Sequence, residues 1–243
     1  MRYAIISDVH SNIEALKAVL EELDGMGFDR LLCLGDIVGY GPNPNECCAL
    51  LIKRDCLAIA GNHDEAAAHD SGIDYFSPLA REALEWNKAA LTPENIAYLA
   101  ALPRERRFDG FDIVHGSPVH HFEYILDAVD AQQAFARSDK PVIFVGHSHI
   151  AEVYFQDPSG TTHQQRLLHG GRIDIAPEFR YIINPGSVGQ PRDRNPQAAF
   201  ALYDTEQHVV DVRRVTYDVH AVQGRIDSAR LPSQLGDRLG IGY

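Results

Sequence analysis

The sequence is poor in the features that mark secreted or membrane proteins. It has four cysteines, Cys33, Cys47, Cys48 and Cys56, all in the first quarter of the chain and none in a CxxC pair. That spacing offers no disulfide framework and fits a reducing compartment. No apolar run approaches the length of a membrane span. The N-terminal "MRYAIISDVH" is apolar for only a few residues before Asp8, which suits a strand and not a secretion signal. The expected location is therefore the cytoplasm. Positive charge is also scarce: 22 Lys and Arg stand against 34 Asp and Glu, a net charge of −12. Such a balance argues against broad electrostatic binding to a nucleic-acid polymer or an anionic membrane. It does not argue against a small phosphorylated substrate, because bound cations reverse the charge locally.

What remains is an ordinary globular composition, 45% hydrophobic and 23% charged over 243 residues, enough for a substantial core. There are no repeats, low-complexity tracts or linkers, so a single domain over 1–243 is expected, with residues 231–243 as a loose tail. "YAIIS" (3–7), "RLLCLGD" (30–36) and "CLAIAGN" (56–62) read as buried strands. Helical spacing over 12–26 and a short helix near 44–53 separate them. This alternation predicts a largely parallel sheet with helices packed on it. Residues 77–101 read as helix broken at Thr92-Pro93, followed by strands in "RERRF" and "FDIVHG", a helix over 127–138 and a buried strand at 141–147. From about residue 151 the period changes. Short β runs such as "AEVYFQD", "YIINPGS", "AAFALYD" and "HVVDVRRV" predict a second, mainly antiparallel sheet, with a closing helix over 218–230.

Chemistry-bearing residues recur just past the carboxyl ends of five strands, the edge where open α/β sheets bind ligands. They are Asp8 and His10, Asp36, Asn62 with His63, His115, and His147 with His149. Asp8-Val9-His10 and His147-Ser148-His149 are read as extended, so that alternate side chains point into one pocket. Two carboxylates, four imidazoles and one amide suit Mn, Fe, Zn or Ni and not thiolate-selective metals. Seven groups are too many for one catalytic ion that keeps an open position. They fit two ions if one carboxylate is shared.

In this order, Asp8-x-His10, Gly35-Asp36-x-x-Gly39, Gly61-Asn62-His63-Asp64, His115-Gly116 and Gly146-His147-Ser148-His149 resemble the motifs of the calcineurin-like metallophosphoesterases. The resemblance covers roughly residues 1–190. "SDVHSN", "GDIVGYGPNPNEC" and "INPGSVGQPRD" further resemble a small bacterial branch that includes phosphodiesterases and asymmetric diadenosine-polyphosphate hydrolases. The resemblance implies an α/β fold, a four-layer αββα sandwich of two mixed sheets flanked by helices. It implies one ion held by Asp8, His10, Asp36 and His149 and a second held by Asp36, Asn62, His115 and His147, with manganese the first choice. The implied reaction is in-line attack on phosphorus by a metal-bridging hydroxide, with His63 stabilising the transition state or protonating the leaving oxygen.

The sequence departs from the protein Ser/Thr phosphatases of the family. These carry an aspartate–arginine pair shortly after the bridging aspartate, whereas here the segment reads "GDIVGYG". Phosphate-binding charge is then expected from Arg192, with hydrogen bonds from Asn184, Ser187 and Asn62. Tyr40, Phe122 and Tyr124 are either platforms for a nucleobase or loop core. The expected activity is hydrolysis of a small phosphodiester or nucleotide. The alternatives are a diadenosine-polyphosphate hydrolase and a non-catalytic protein-binding module of the same fold. Substrate, physiological metal and homo-oligomeric state are left open.

Overall fold

The computed structural model describes residues 1–243. β1 (Arg2–Ile6), β2 (Arg30–Cys33) and β3 (Leu57–Ala58) run parallel, linked by α1 (Ile13–Met26) and α2 (Pro44–Lys53). Asn12 starts α1 by accepting the Ala15 N–H, and Gly27 closes it, as cap chemistry dictates. α3 (Asn62–His69) follows β3 directly, then come α4 (Pro78–Ala90) and α5 (Pro93–Ala100). The break between the last two is Thr92, whose hydroxyl caps α5 at the Asn95 N–H.

β4 (Glu105–Arg107), β5 (Phe111–Val114), α6 (Ala128–Phe135) and β6 (Val142–Phe144) begin the second sheet. The strands after residue 150 are β7 (Ala151–Gln156), β8 (Thr162–Arg166), β9 (Gly171–Asp174), β10 (Arg180–Pro185), β11 (Ala198–Asp204) and β12 (Val209–Val215). They do not form a sheet of their own, contrary to expectation. The two six-stranded sheets have the orders β3-β2-β1-β11-β12-β9 and β4-β5-β6-β10-β7-β8. β11 pairs antiparallel with β1, while β10 pairs parallel with β6 and antiparallel with β7. Each sheet is therefore mixed, and the late strands are shared between them.

Side-chain alternation builds the layers. Ala4 and Ile6 of β1 join α1, α2 and α5 in one core, while Ile5 points the other way. There it meets Phe111, Phe144, Ile183 and Ala201 between the sheets. Ile143 and Ile182 face outward from the second sheet onto Ala131, Ala134 and Phe135 of α6. The result is the expected αββα sandwich.

The C-terminal residues are not a loose tail. They fold as α8 (Gln234–Ile241) beside α7 (Val219–Ser228). Leu235 and Leu239 bury themselves against Val222, Ile226 and Ala83. That tertiary burial overrides two glycines, Gly236 and Gly240, which weaken any sequence-level helix signal, while Gly242 closes the helix in a left-handed cap.

Candidate metal centre

Parallel pairing continues past the ends of β1 and β2. The Asp8 N–H donates to the Gly35 carbonyl (3.0 Å), His10 N–H to Asp36 (2.9 Å) and Ser11 N–H to Ile37 (2.9 Å). The Gly189 N–H donates to the Asp8 carbonyl and the Arg192 N–H to that of His149. This lacing forces an unusual backbone. Asp8 (φ 53°), His10 (47°), Asp36 (52°), His147 (66°) and His149 (61°) are all left-handed. Each such non-glycine residue costs about 1–2 kcal/mol. The two i, i+2 pairs are thus not extended, as their spacing suggested. Left-handed turns aim His149 at Asp8 and His10, and His147 at Asp36 and His115.

Two groups of potential ligand atoms result, Asp8–His10–Asp36–His149 and Asp36–His115–His147, with Asp36 in both. All six residues are buried, and His147, at 6% exposed, is the least so. Nε2 of His149 lies 3.3 Å from Asp8 Oδ1. Nε2 of His10 lies 3.6 Å from Asp36 Oδ2, and Nε2 of His115 lies 3.3 Å from the same oxygen. His10, His115 and His149 each present Nδ1 to a backbone carbonyl, of Val38 (3.0 Å), Leu34 (2.7 Å) and Gln190 (2.6 Å). A carbonyl only accepts, so in the neutral rings Nδ1 carries the hydrogen and Nε2 is left as a lone pair.

The Nε2 atoms of His10 and His149 then face each other at 3.0 Å with no hydrogen between them. That contact is repulsive unless a cation shares it. Two ligands about 2.1 Å from one ion and at right angles to each other would stand about 3.0 Å apart, so the donor set fits a metal. Burial depresses His10 and His149 well below the usual imidazole range and His147 to about 3, which keeps the three rings neutral. Burial also opposes charge on Asp36, but His115 and His63 outweigh it and hold the carboxyl well below its usual range. Asp8 is pushed up by burial to about 6.

The family model of the calcineurin-like phosphoesterase superfamily domain matches residues 1–208. The chain belongs to that superfamily. A protein of Methanocaldococcus jannaschii, itself uncharacterized, is 40% identical over 98% of this chain and 97% of its own length. The crystal structure of a metallophosphoesterase from Sphaerobacter thermophilus superposes with a TM-score of 0.88 at 38% identity, covering 100% of both chains. A hypothetical protein from Pyrococcus horikoshii shares the fold at 22% identity, with a TM-score of 0.80 over 100% of this chain and 98% of that one. The chain is a metal-dependent phosphoric ester hydrolase.

Around this calcineurin-like centre, Asn62 stands at the first position of α3 with its Oδ1 buried and unpartnered. His63 is next, its ring 4.8 Å from that of His10 and 4.7 Å from that of Tyr40, with Phe76 edge-on at 4.6 Å. Burial lowers it to about 4. A Cβ on Gly39 would collide with its Nδ1, so glycine there makes room for the ring. Arg192 donates to the Tyr40 hydroxyl (3.2 Å) and to Gln190 Oε1 (2.9 Å), and stands over the Tyr40 ring. Tyr124 stacks on His147 at 3.9 Å, while Phe122 instead lies under Arg104.

Ser187 is not positioned for substrate. It is fully buried, donating to the Asp8 carbonyl (2.9 Å) and accepting from Gln190 N–H (2.8 Å). Asn184 likewise spends its amide on Gly146 and Ser148. The "NPGS" segment therefore braces the ligand loops. Asp64 was missed as a positioning residue. Its carboxylate accepts from Ile37, Val38 and Gly61, tying α3 to the loop that carries Asp36. The available signal was its place three residues after Gly61, the acidic position of a capping box. Gly61 itself touches Asp36, since a Cβ there would overlap the carboxylate.

Proposed function

We propose that the centre holds two divalent transition-metal ions bridged by Asp36 and hydrolyses a small phosphodiester or nucleotide. The shared carboxylate carries this reading, because one Asp36 serves both ligand groups. Asn62 supplies the further donor of the second group, which accounts for its orphaned Oδ1. Bound there, the ions would activate water at neutral pH and neutralise charge on the phosphate. Mixed carboxylate, imidazole and amide donors suit borderline divalent ions, with manganese first and iron, zinc and nickel next.

The chain's own residues orient and hold the ester. His63, kept neutral by burial, donates an N–H to a phosphoryl oxygen. That role suits its low basicity better than delivery of a whole proton. Arg192, fixed by Tyr40 and Gln190, supplies the remaining positive charge. One arginine without the aspartate–arginine pair of the protein phosphatases matches the single charge of a diester better than the double charge of a monoester. Metal-stripped protein, restored with each divalent cation in turn, should be assayed on diesters, monoesters, phosphopeptides and dinucleoside polyphosphates. Diesters or nucleotides should lead with manganese. Faster turnover of phosphopeptides would refute the substrate class.

A further inference from the structure

We propose that Asn87, on α4, is a positioning residue that fixes Tyr40 and, through it, Arg192 for phosphate binding. The inference rests on the phosphate-binding role of Arg192 and places its support on a helix that carries no metal ligand. Packing gives no reason for an amide there. α4 buries Ala80, Ala83 and Leu84 along with Asn87, and an apolar side chain would bury at less cost. Asparagine is also a weak helix former, because its side chain competes for main-chain partners. Yet Asn87 is fully buried, 0% exposed. A buried amide is tolerated where its hydrogen bonds are made.

Here all of them are made. Asn87 Oδ1 accepts from the Ser11 hydroxyl (2.6 Å) and from the Gly39 N–H (3.1 Å). Its Nδ2 donates to the carbonyls of Gly41 (3.0 Å) and Ala83 (2.9 Å). A main-chain N–H only donates and a carbonyl only accepts, so this orientation of the amide is the one that satisfies every partner. Two of the bonds fall on the residues either side of Tyr40. Tyr40 is left-handed (φ 54°) between two glycines, a strained setting for a bulky residue that its surroundings must hold. Its ring lies 4.7 Å from those of both His10 and His63. Its hydroxyl accepts from Arg192 (3.2 Å), whose guanidinium stands over the ring. Asn87 thus fixes both flanks of the residue that holds the phosphate-binding arginine. The nearby ligand His10 has ties of its own, through its N–H to Asp36 and its Nδ1 to the Val38 carbonyl.

The test is a double-mutant cycle of Asn87→Ala and Arg192→Ala, read as kcat and KM for bis(4-nitrophenyl) phosphate on the manganese-loaded protein. Alone, Asn87→Ala should raise KM and cut kcat/KM by about threefold to tenfold, the worth of a neutral hydrogen bond. Metal content should stay near wild type. In the Arg192→Ala background the same substitution should cost less than about twofold, because the side chain it positions is gone. Asn87→Ser, which leaves a smaller gap and one polar group, should fall between the wild type and the alanine variant. Circular dichroism checks that each variant is folded. A silent Asn87→Ala, equal losses in both backgrounds, a loss confined to kcat, or a loss of metal would overturn the positioning role. Failure of both Asn87 variants to fold would overturn it too, by making the amide a requirement of the fold. With Arg192→Ala costly on its own, each of these results removes only the inference. A silent Arg192→Ala, or no turnover by the wild type with any divalent cation, would remove the phosphate-binding reading and the inference together.

Discussion

The Nε2 atoms of His10 and His149 face each other across 3.0 Å, while both rings give their Nδ1 hydrogens to carbonyls. The fold thus holds two lone pairs together, and five left-handed residues around them add strain. The metal-free protein carries both costs. An ion at 100 times its dissociation constant adds about 2.7 kcal/mol, or about 5–10 °C in a chain of this size. Chelation should lower the melting temperature by that much, and restored manganese should recover it. A melting temperature indifferent to chelator would count against the site.

His115 makes ion binding pH-dependent. Burial disfavours its charged form, but the Asp36 carboxylate at 3.3 Å outweighs burial and raises the ring to about 9. At pH 7 the metal-free ring therefore holds a proton that the ion must displace. Affinity at that position should rise about tenfold per pH unit up to pH 9 and level off above it. Calorimetry in buffers of different ionisation enthalpy should detect about one proton released per chain at pH 7 and almost none above pH 10. Asp8, at about 6, adds little at neutral pH. No proton release at pH 7 would show that His115 is not displaced by metal.

His63→Ala tests chemistry apart from metal binding. The ring contacts His10, Tyr40 and Phe76 but belongs to neither ligand group. Metal content should stay near wild type while kcat falls by roughly 10²–10³, the worth of one transition-state hydrogen-bond donor. Metal lost along with activity would make His63 a ligand.

Arg192→Ala should raise KM and cut kcat/KM by about tenfold to a hundredfold, with metal content retained. Tyr40→Phe removes only the hydroxyl that accepts from Arg192, so its effect should be smaller, about twofold to tenfold. A silent Arg192→Ala would mean that the phosphate charge is balanced elsewhere.

The buried Asp and His cluster was legible because each of its residues follows an apolar strand and is a type that metals need. The sandwich followed from the family resemblance. The conformations that aim the ligands were not legible. Nothing in Asp8 or His147 announces a positive φ, which long-range lacing to Gly35, Gly189 and neighbouring loops imposes. Sheet membership was hidden for the same reason. β10 and β11 are buried along nearly their whole length, so side-chain alternation does not sort them, and only pairing with β6 and β1 decides which sheet each enters. Ser187 looked like a phosphate contact because a serine in a Gly-Pro loop suits either role, and only its burial under Asp8 separates them.

The most direct test of the account is the metal stoichiometry of Asp36→Asn beside the wild type, each stripped, reconstituted with manganese and counted by elemental analysis. Asn preserves the size of the side chain and tolerates the left-handed backbone at this position, so the fold should survive, as circular dichroism can verify. The wild type should hold about two ions per chain and the variant no more than about one, with phosphodiester turnover lost. Saturation of both proteins at the same single ion would contradict a shared centre bridged by Asp36.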